Sequence, residues 1–113
     1  METIEIEIYR HKGIHAPFED WLDSIPDALD KSRIEVRLAR VRSGNFGENK
    51  SLGRDLREIR FAFGPGYRIY FVRLSAGKVL LLSGGTKGTQ QRDLRRAAIY
   101  YAEYREAKVQ TDA

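Results

Sequence analysis

The sequence predicts an α+β domain: an N-terminal strand, two helices, a three-stranded antiparallel meander and a C-terminal helix. Three observations carry this reading. Apolar residues alternate with period two at Ile4, Ile6 and Ile8, and again at Ile59, Phe61 and Phe63. Helical spacing takes over between these stretches and after Thr89. Two short turns, Gly64-Pro65-Gly66 and Ser75-Ala76-Gly77, join consecutive strands and so make them antiparallel neighbours.

The elements follow in order. Ile4, Ile6 and Ile8 alternate with Glu5, Glu7 and Tyr9, the pattern of a half-buried strand, which His11-Lys12-Gly13 ends. Pro17 suits the first turn of a helix whose inner face is Phe18, Trp21, Leu22 and Ile25, with Glu19, Asp20 and Asp23 outside. Pro26 at the first helical position and Asp27 after it start a second helix to about Arg42. Its stripe is Leu29, Ile34, Leu38 and Val41, flanked by Arg33, Arg37 and Arg40, and Gly44 stops it. Residues 44–55 read as a loop. In the following strand Ile59, Phe61 and Phe63 face one way and Glu58, Arg60 and Ala62 the other. Strands over 67–74 and 78–83 complete the meander. Leu80 and Leu82 oppose Val79 and Leu81, so the last strand is apolar on both sides and needs cover on both. The two N-terminal helices are expected on one face and the C-terminal helix on part of the other. The first strand joins the meander in a mixed or antiparallel sheet. Thr89 caps the last helix, whose inner face is Leu94, Ala97, Ala98, Tyr101 and Tyr104; the tail beyond Glu106 frays.

With 113 residues, one domain over 1–113 is the expectation. Hydrophobic residues at 42% and charged residues at 32% are ordinary for a folded domain and exclude global disorder. The absence of cysteine excludes a disulfide scaffold and thiolate metal sites and fits a reducing compartment. The apolar run Val79–Leu82 is too short to span a bilayer. Met1-Glu2-Thr3-Ile4-Glu5 lacks the basic and apolar regions of a signal peptide, so a cytoplasmic protein with no membrane partner is expected.

Charge is unevenly distributed. Residues 1–30 hold two basic and eight acidic side chains, whereas residues 31–113 hold eighteen basic and eight acidic, a net of +10. Such an imbalance points to a polyanion-binding face or an acidic partner; the plainer reading is a solvated basic helix face. Arg outnumbers Lys, as planar, bidentate phosphate contacts favour.

Several chemistries are excluded. His11 and His15 straddle Gly13 without a metalloprotease helix pattern and read as solvated loop histidines, so no metal and no cofactor is expected. Gly84-Gly85-Thr86-Lys87-Gly88 lacks the spacing of a phosphate-binding loop of the Walker type. No Ser-His-Asp or Cys-His arrangement is present. What remains is basic and strand-borne. Arg60 and Arg68 flank the Gly64-Pro65-Gly66 turn, and Lys87 follows the last strand. Three cations converging on one end of a sheet suit a phosphate and the added charge of its pentacovalent transition state. Whether Arg68 shares the face of Arg60 depends on register. The competing reading pairs each cation with Glu58, Asp55 or Asp93. Tyr67, Tyr70 and Phe71 lie in the strand of Arg68; Tyr101 and Tyr104 read as core, and Tyr100 as the exposed ring of the last helix, suited to stacking on an unpaired base.

Leu56-Arg57-Glu58-Ile59-Arg60, Gly64-Pro65-Gly66-Tyr67-Arg68-Ile69-Tyr70-Phe71, Leu80-Leu81-Leu82-Ser83-Gly84-Gly85-Thr86-Lys87 and Gln90-Gln91-Arg92-Asp93-Leu94 together resemble the RelE/ParE superfamily of toxins from bacterial toxin–antitoxin systems. Within it they are most similar to the HigB-like branch, the addiction module killer proteins. The resemblance implies a RelE-like fold and a metal-independent endoribonuclease that cuts mRNA on the ribosome by attack of the RNA's own 2′-hydroxyl. By motif position it implies catalytic roles for Arg60, Arg68 and Lys87: Arg68 on the scissile phosphate, Arg60 as a second cation, Lys87 on the leaving side or flanking backbone. Arg57, Lys50, Arg54 and Tyr100 are the expected nucleic-acid contacts. Leu94 stands where some relatives carry an acid–base group, which leaves the proton work to Tyr100 or to a ribosomal RNA group. The implied partners are the ribosome with its mRNA and a cognate helix-turn-helix antitoxin of the HigA-like kind. Two other readings are a ParE-like inhibitor of DNA gyrase and a non-catalytic nucleic-acid-binding module.

Overall fold

A computed structural model describes residues 3–112; Met1 and Glu2, part of the stretch read above for a leader, lie outside the described residues. Nine-residue strands β4 (Tyr67–Ser75) and β5 (Lys78–Thr86) form the hairpin at the centre of a five-stranded sheet. Its order is β1-β5-β4-β3-β2. β3 (Leu56–Arg60) pairs antiparallel with β4, and β1 (Glu5–Ile8) runs parallel to β5, with Glu5 opposite Lys78 and Ile8 opposite Leu81. The architecture is α+β, with the layout expected from the sequence and one strand more.

That extra strand is β2 (Asn49–Gly53), paired antiparallel with β3 inside the segment read as a loop. It lies at the sheet edge and is mostly exposed, so its ladder rests on backbone hydrogen bonds and needs no alternation of apolar side chains.

Helices α1 (Pro17–Ser24) and α2 (Ala28–Arg42) cover one face of the sheet. Phe18, Ile34, Leu38 and Val41 pack there against Ile59, Ile69, Phe71, Val79 and Leu81. Helix α3 (Gln90–Asp112) crosses the other face, where Ala97 meets Tyr9, Leu56, Tyr70, Val72, Leu80 and Leu82. Each fully buried Leu, Ile or Phe contributes about 1.5–3 kcal/mol of transfer free energy. No helix among the described residues is long and apolar enough to cross a membrane.

Four local expectations are corrected. Pro26 lies outside α2, and Asp27 is its N-cap, its carboxylate accepting from the amides of Leu29 and Asp30 at 2.9 and 3.0 Å. Leu29 is 59% exposed, because the cap sets the helix phase so that the buried face begins at Ile34. Ala98 is exposed beside buried Ala97. Beyond Glu106 the chain continues as helix to Asp112 rather than fraying. The arginines beside the α2 stripe lie on aromatic faces: Arg33 is 5.3 Å from the Phe63 ring centre and Arg37 is 5.2 Å from that of Phe61. Arg37 also donates to the carbonyls of Phe46 and Glu48, pinning the loop after α2.

An irregularity in β5 controls what lies under α3. Tyr70 is opposite Ser83 while Phe71 is opposite Leu81, so Leu82 is an extra residue, a β-bulge. Strict alternation would send Ser83 to the side of α1 and α2. The bulge instead puts Ser83 beside Tyr70, sends Gly84 toward Trp21 and turns Gly85 toward Asp93.

Two outcomes follow for stability. A Cβ at Gly84 would meet the Trp21 ring at 2.2–2.6 Å, whereas at Gly77 the nearest atom, the Thr3 carbonyl oxygen, is 4.0 Å away. Urea denaturation should show Gly84→Ala destabilised by about 1–3 kcal/mol and Gly77→Ala within about 0.5 kcal/mol of the parent. Tyr67 donates its hydroxyl to Asp30 at 2.8 Å. Burial first, then that bond and the Asp30 charge, push its phenol from 10.0 up to about 12. Its contribution to stability is complete below pH 10 and is lost as the pH rises through about 12. Tyr67→Phe should therefore lose less stability than the parent over this alkaline window, as followed by denaturation at successive pH values.

Candidate functional site

The register of β3 against β4 settles the position of the two strand-borne arginines. Arg60 lies directly opposite Arg68, and Glu58 opposite Tyr70, so all four share the face that α3 partly covers. Glu58 has 0% exposure and its two carboxylate oxygens are divided between the cations. Arg60 Nε donates to Oε2 at 3.1 Å; Arg68 Nε lies 3.3 Å from Oε1, close enough for ion pairing but not aligned as a hydrogen bond. Gln90, the first residue of α3, donates its side-chain amide to Oε1 at 2.7 Å. The competing reading of the sequence, in which the arginines pair with Glu58, is therefore part of the arrangement.

Two guanidinium groups against one carboxylate leave the trio with one net positive charge, the complement of a single phosphodiester. Only the Nε edges face Glu58. The Nη nitrogens of both groups find no protein acceptor among the described residues, and Arg60 keeps about a third of its side chain exposed. Arg60, partly exposed and held by a carboxylate, offers a planar fork suited to an oxyanion, while the Arg68 side chain is 10% exposed.

On the same face, the Tyr70 and Ser83 hydroxyls are buried and have no hydrogen-bond partner among the described residues. Burial, followed by the charges of Glu58 and Asp93, pushes the Tyr70 phenol well above its ordinary value, so it carries its proton at neutral pH and can donate but not act as a base. Asp93, in the first turn of α3, accepts from the Thr89 hydroxyl and lies 3.6 Å from Arg92 Nε. It fits only because Gly85 is opposite: a Cβ there would sit 1.8 Å from its carboxylate. Thr89 thus acts on Asp93 from the 3-10 turn Lys87–Thr89 that precedes α3.

Lys87 is not drawn into the cluster. Its amide donates to the Gly66 carbonyl at 2.8 Å, fixing the end of β5 to the β3–β4 turn, while its side chain is exposed in a shallow groove with Gln90, Arg92 and Arg95. Gln90 is the link, since it borders that groove and holds Glu58. The expected nucleic-acid contacts are divided by the sheet. Lys50 is exposed and lies opposite Glu58 in register, on the arginine face. Arg57 points to the other face, where Nε and Nη2 donate to Asn49 at 3.0 and 2.8 Å, and Arg54 is exposed in the β2–β3 turn. Tyr100, expected to be exposed, is half-buried and stacked on Tyr9 with ring centres 5.1 Å apart, because α3 lies flat enough on the sheet to turn this ring inward.

One of the two histidines also differs from expectation. His15 is exposed, 3.7 Å from Asp20, but His11 is half-buried, its Nδ1 2.9 Å from a Glu103 oxygen that also accepts from Tyr9 at 2.6 Å. Among the described residues no three His, Asp or Glu side chains gather to hold a metal. Sequence reasoning missed Gln90, Tyr70 and Ser83 as parts of the cluster. Gln90 and Ser83 both stand in quoted motifs, but the face of Ser83 was not readable, because the bulge reverses its side.

No family model matches this chain. Over 86 residues it is 36% identical to a Haemophilus influenzae protein described as an uncharacterized protein, the match covering 76% of this chain and 87% of that one.

Removing the shared carboxylate should be costly. Glu58→Gln leaves two buried or half-buried guanidinium groups facing each other without a counter-charge, and chemical denaturation should report a loss of about 3–5 kcal/mol. A loss below about 1 kcal/mol would mean that solvent already screens the pair.

Proposed function

We propose, for a chain that belongs to the same family as this Haemophilus influenzae protein, the activity of a RelE/ParE-type toxin of the HigB-like branch: a metal-independent endoribonuclease that cuts mRNA on the ribosome. The observation that supports it most is the Arg60–Arg68 pair, aligned across β3 and β4 and held from behind by Glu58.

In this reading the 2′-oxygen of the RNA attacks the adjacent phosphorus. An O2′–P bond forms, the P–O5′ bond breaks, one proton leaves the 2′-hydroxyl and one reaches the departing 5′-oxygen. The products are a 2′,3′-cyclic phosphate and a 5′-hydroxyl. Arg68 holds the scissile phosphate and Arg60 supports it, and both gain interaction energy as the phosphorane takes up a second negative charge. Lys87, in the neighbouring groove, holds the flanking backbone.

The cluster's own acids and bases are engaged. Two hydrogen-bond donors and the Arg68 cation surround Glu58, Thr89 and Arg92 attend Asp93, and Tyr70 keeps its proton. A proton acceptor supplied by ribosomal RNA fits this arrangement better than Tyr100, which is packed on Tyr9. The reading carries with it a cytoplasmic location and a HigA-like helix-turn-helix antitoxin that covers the basic face.

Inducible expression of the parent beside Arg68→Ala and Arg60→Ala, with primer-extension mapping of cellular mRNA, tests it. The expected outcome is growth arrest with cuts in phase with codons, reduced about 10²-fold or more in each variant, with melting curves confirming that both variants fold. Arrest with intact mRNA would overturn the nuclease and leave gyrase as the target to examine.

A further inference from the structure

The sheet face opposite the Arg60–Arg68 pair carries a second concentration of guanidinium groups. Where α2 ends and leaves the sheet uncovered, a hollow of about 550 Å³ is bordered by Arg54, Arg57, Arg73, Phe46 and Asp55. Three cations surround it against one carboxylate.

These arginines are held differently from the first pair. Arg57 donates Nε and Nη2 to the neutral side-chain carbonyl of Asn49. Arg73 donates Nη2 to the Ala76 carbonyl at 3.0 Å and lies 5.0 Å from the centre of the Phe46 ring, which is itself stacked on Phe71 at 5.6 Å. Arg54 and Asp55 occupy the tight β2–β3 turn, with φ of 51° and 70°. None of the three arginines pairs with a carboxylate among the described residues. Neutral acceptors fix the orientation of Arg57 and Arg73 without neutralising them, so the entropy of positioning is already lost while the full charge remains.

We propose that this hollow is a phosphate-binding site that grips the backbone of a single RNA strand, apart from the Arg60–Arg68 pair. The excess charge matches two successive phosphodiesters, whereas one carboxylate would satisfy half of it. Phe46 offers no free face for a base, with Phe71 and Arg73 already against it, so the contact reads charge rather than sequence. The site would hold the strand where it passes over the sheet edge. It rests on the proposed function only in taking RNA as the phosphate polymer.

The test is a binding measurement on the full chain. Fluorescence anisotropy with a short 2′-O-methyl RNA, which cannot be cut, is followed over a range of KCl concentrations for the parent, Arg57→Gln/Arg73→Gln and Arg68→Gln. Far-UV circular dichroism and melting confirm folding, and the single Arg73→Gln variant serves if the double variant is unfolded. The expected result is affinity lower by about 10- to 100-fold in the double variant. Its plot of log K against log salt should be shallower by about 1.4, or about 0.7 for each phosphate that is no longer neutralised. Unchanged affinity and slope in the double variant overturn the proposal, as does the absence of RNA binding by the parent. So does displacement of Arg57 and Arg73 side-chain NMR signals by inorganic phosphate alone, or by an acidic peptide and not by the RNA. Parent binding that depends on Arg57 and Arg73, beside intact mRNA in cells, would sustain this site while the nuclease reading fails.

Discussion

A carboxylate without solvent contact must be satisfied by its neighbours, and the neighbours of Glu58 come from three separate elements. Arg60 is on its own strand, Arg68 on the next, and Gln90 at the start of α3. Leaving either arginine out takes a counter-charge from the buried carboxylate, which costs several kcal/mol. The requirement therefore couples the β3–β4 register to the docking of α3. A slip of one residue between β3 and β4 would turn Arg68 to the other face and strand the carboxylate. The same requirement keeps two like charges adjacent, which side chains on a solvated surface would avoid.

Much of this was legible in the sequence, for identifiable reasons. Period-two alternation depends on one buried face per strand; it located β1 through Ile4, Ile6 and Ile8 and pointed to β3, although that strand ends at Arg60, short of Phe61 and Phe63, while the unbroken apolar run Val79 to Leu82 located the double-sided β5. β2 escaped because an edge strand is held by its backbone. Leu29 misled because an apolar residue in the first turn beside a capping Asp27 can lie outside the stripe. For the site, residue types pointed to Arg60 and Arg68 but their common face needed the register, which no local pattern encodes. Lys87 was placed at the correct end of the sheet, yet the 3-10 turn turns its chain into a separate groove. The bulge at Leu82, which delivers Ser83 and frees room for Asp93, leaves no sequence mark beyond the two glycines that follow.

Those glycines show how thin the sheet is at this end. Gly84 receives the Trp21 ring from one side and Gly85 receives Asp93 from the other, so consecutive residues admit close approach from opposite layers. The α1 layer and the α3 layer meet with little more than backbone between them. A change in either layer reaches the residues beside Tyr70 and Arg68 without passing through the larger apolar clusters.

The parallel pairing of β1 with β5 bears on the order in which the molecule assembles. Some seventy residues separate Glu5 from its partner Lys78, whereas β4 and β5 meet across a tight turn. Closing the longer loop costs about 3 kcal/mol more chain entropy. During synthesis the first strand emerges long before the strand it must join, and Gln90 emerges later still. The first strand can pair only after β5 has been made, and the buried carboxylate has its full set of partners only after Gln90 has been made. Arg60 and Arg68 can meet as soon as the β3–β4 hairpin forms, and Gln90, thirty residues after Arg60, is the last partner to reach the carboxylate, an order set by topology alone.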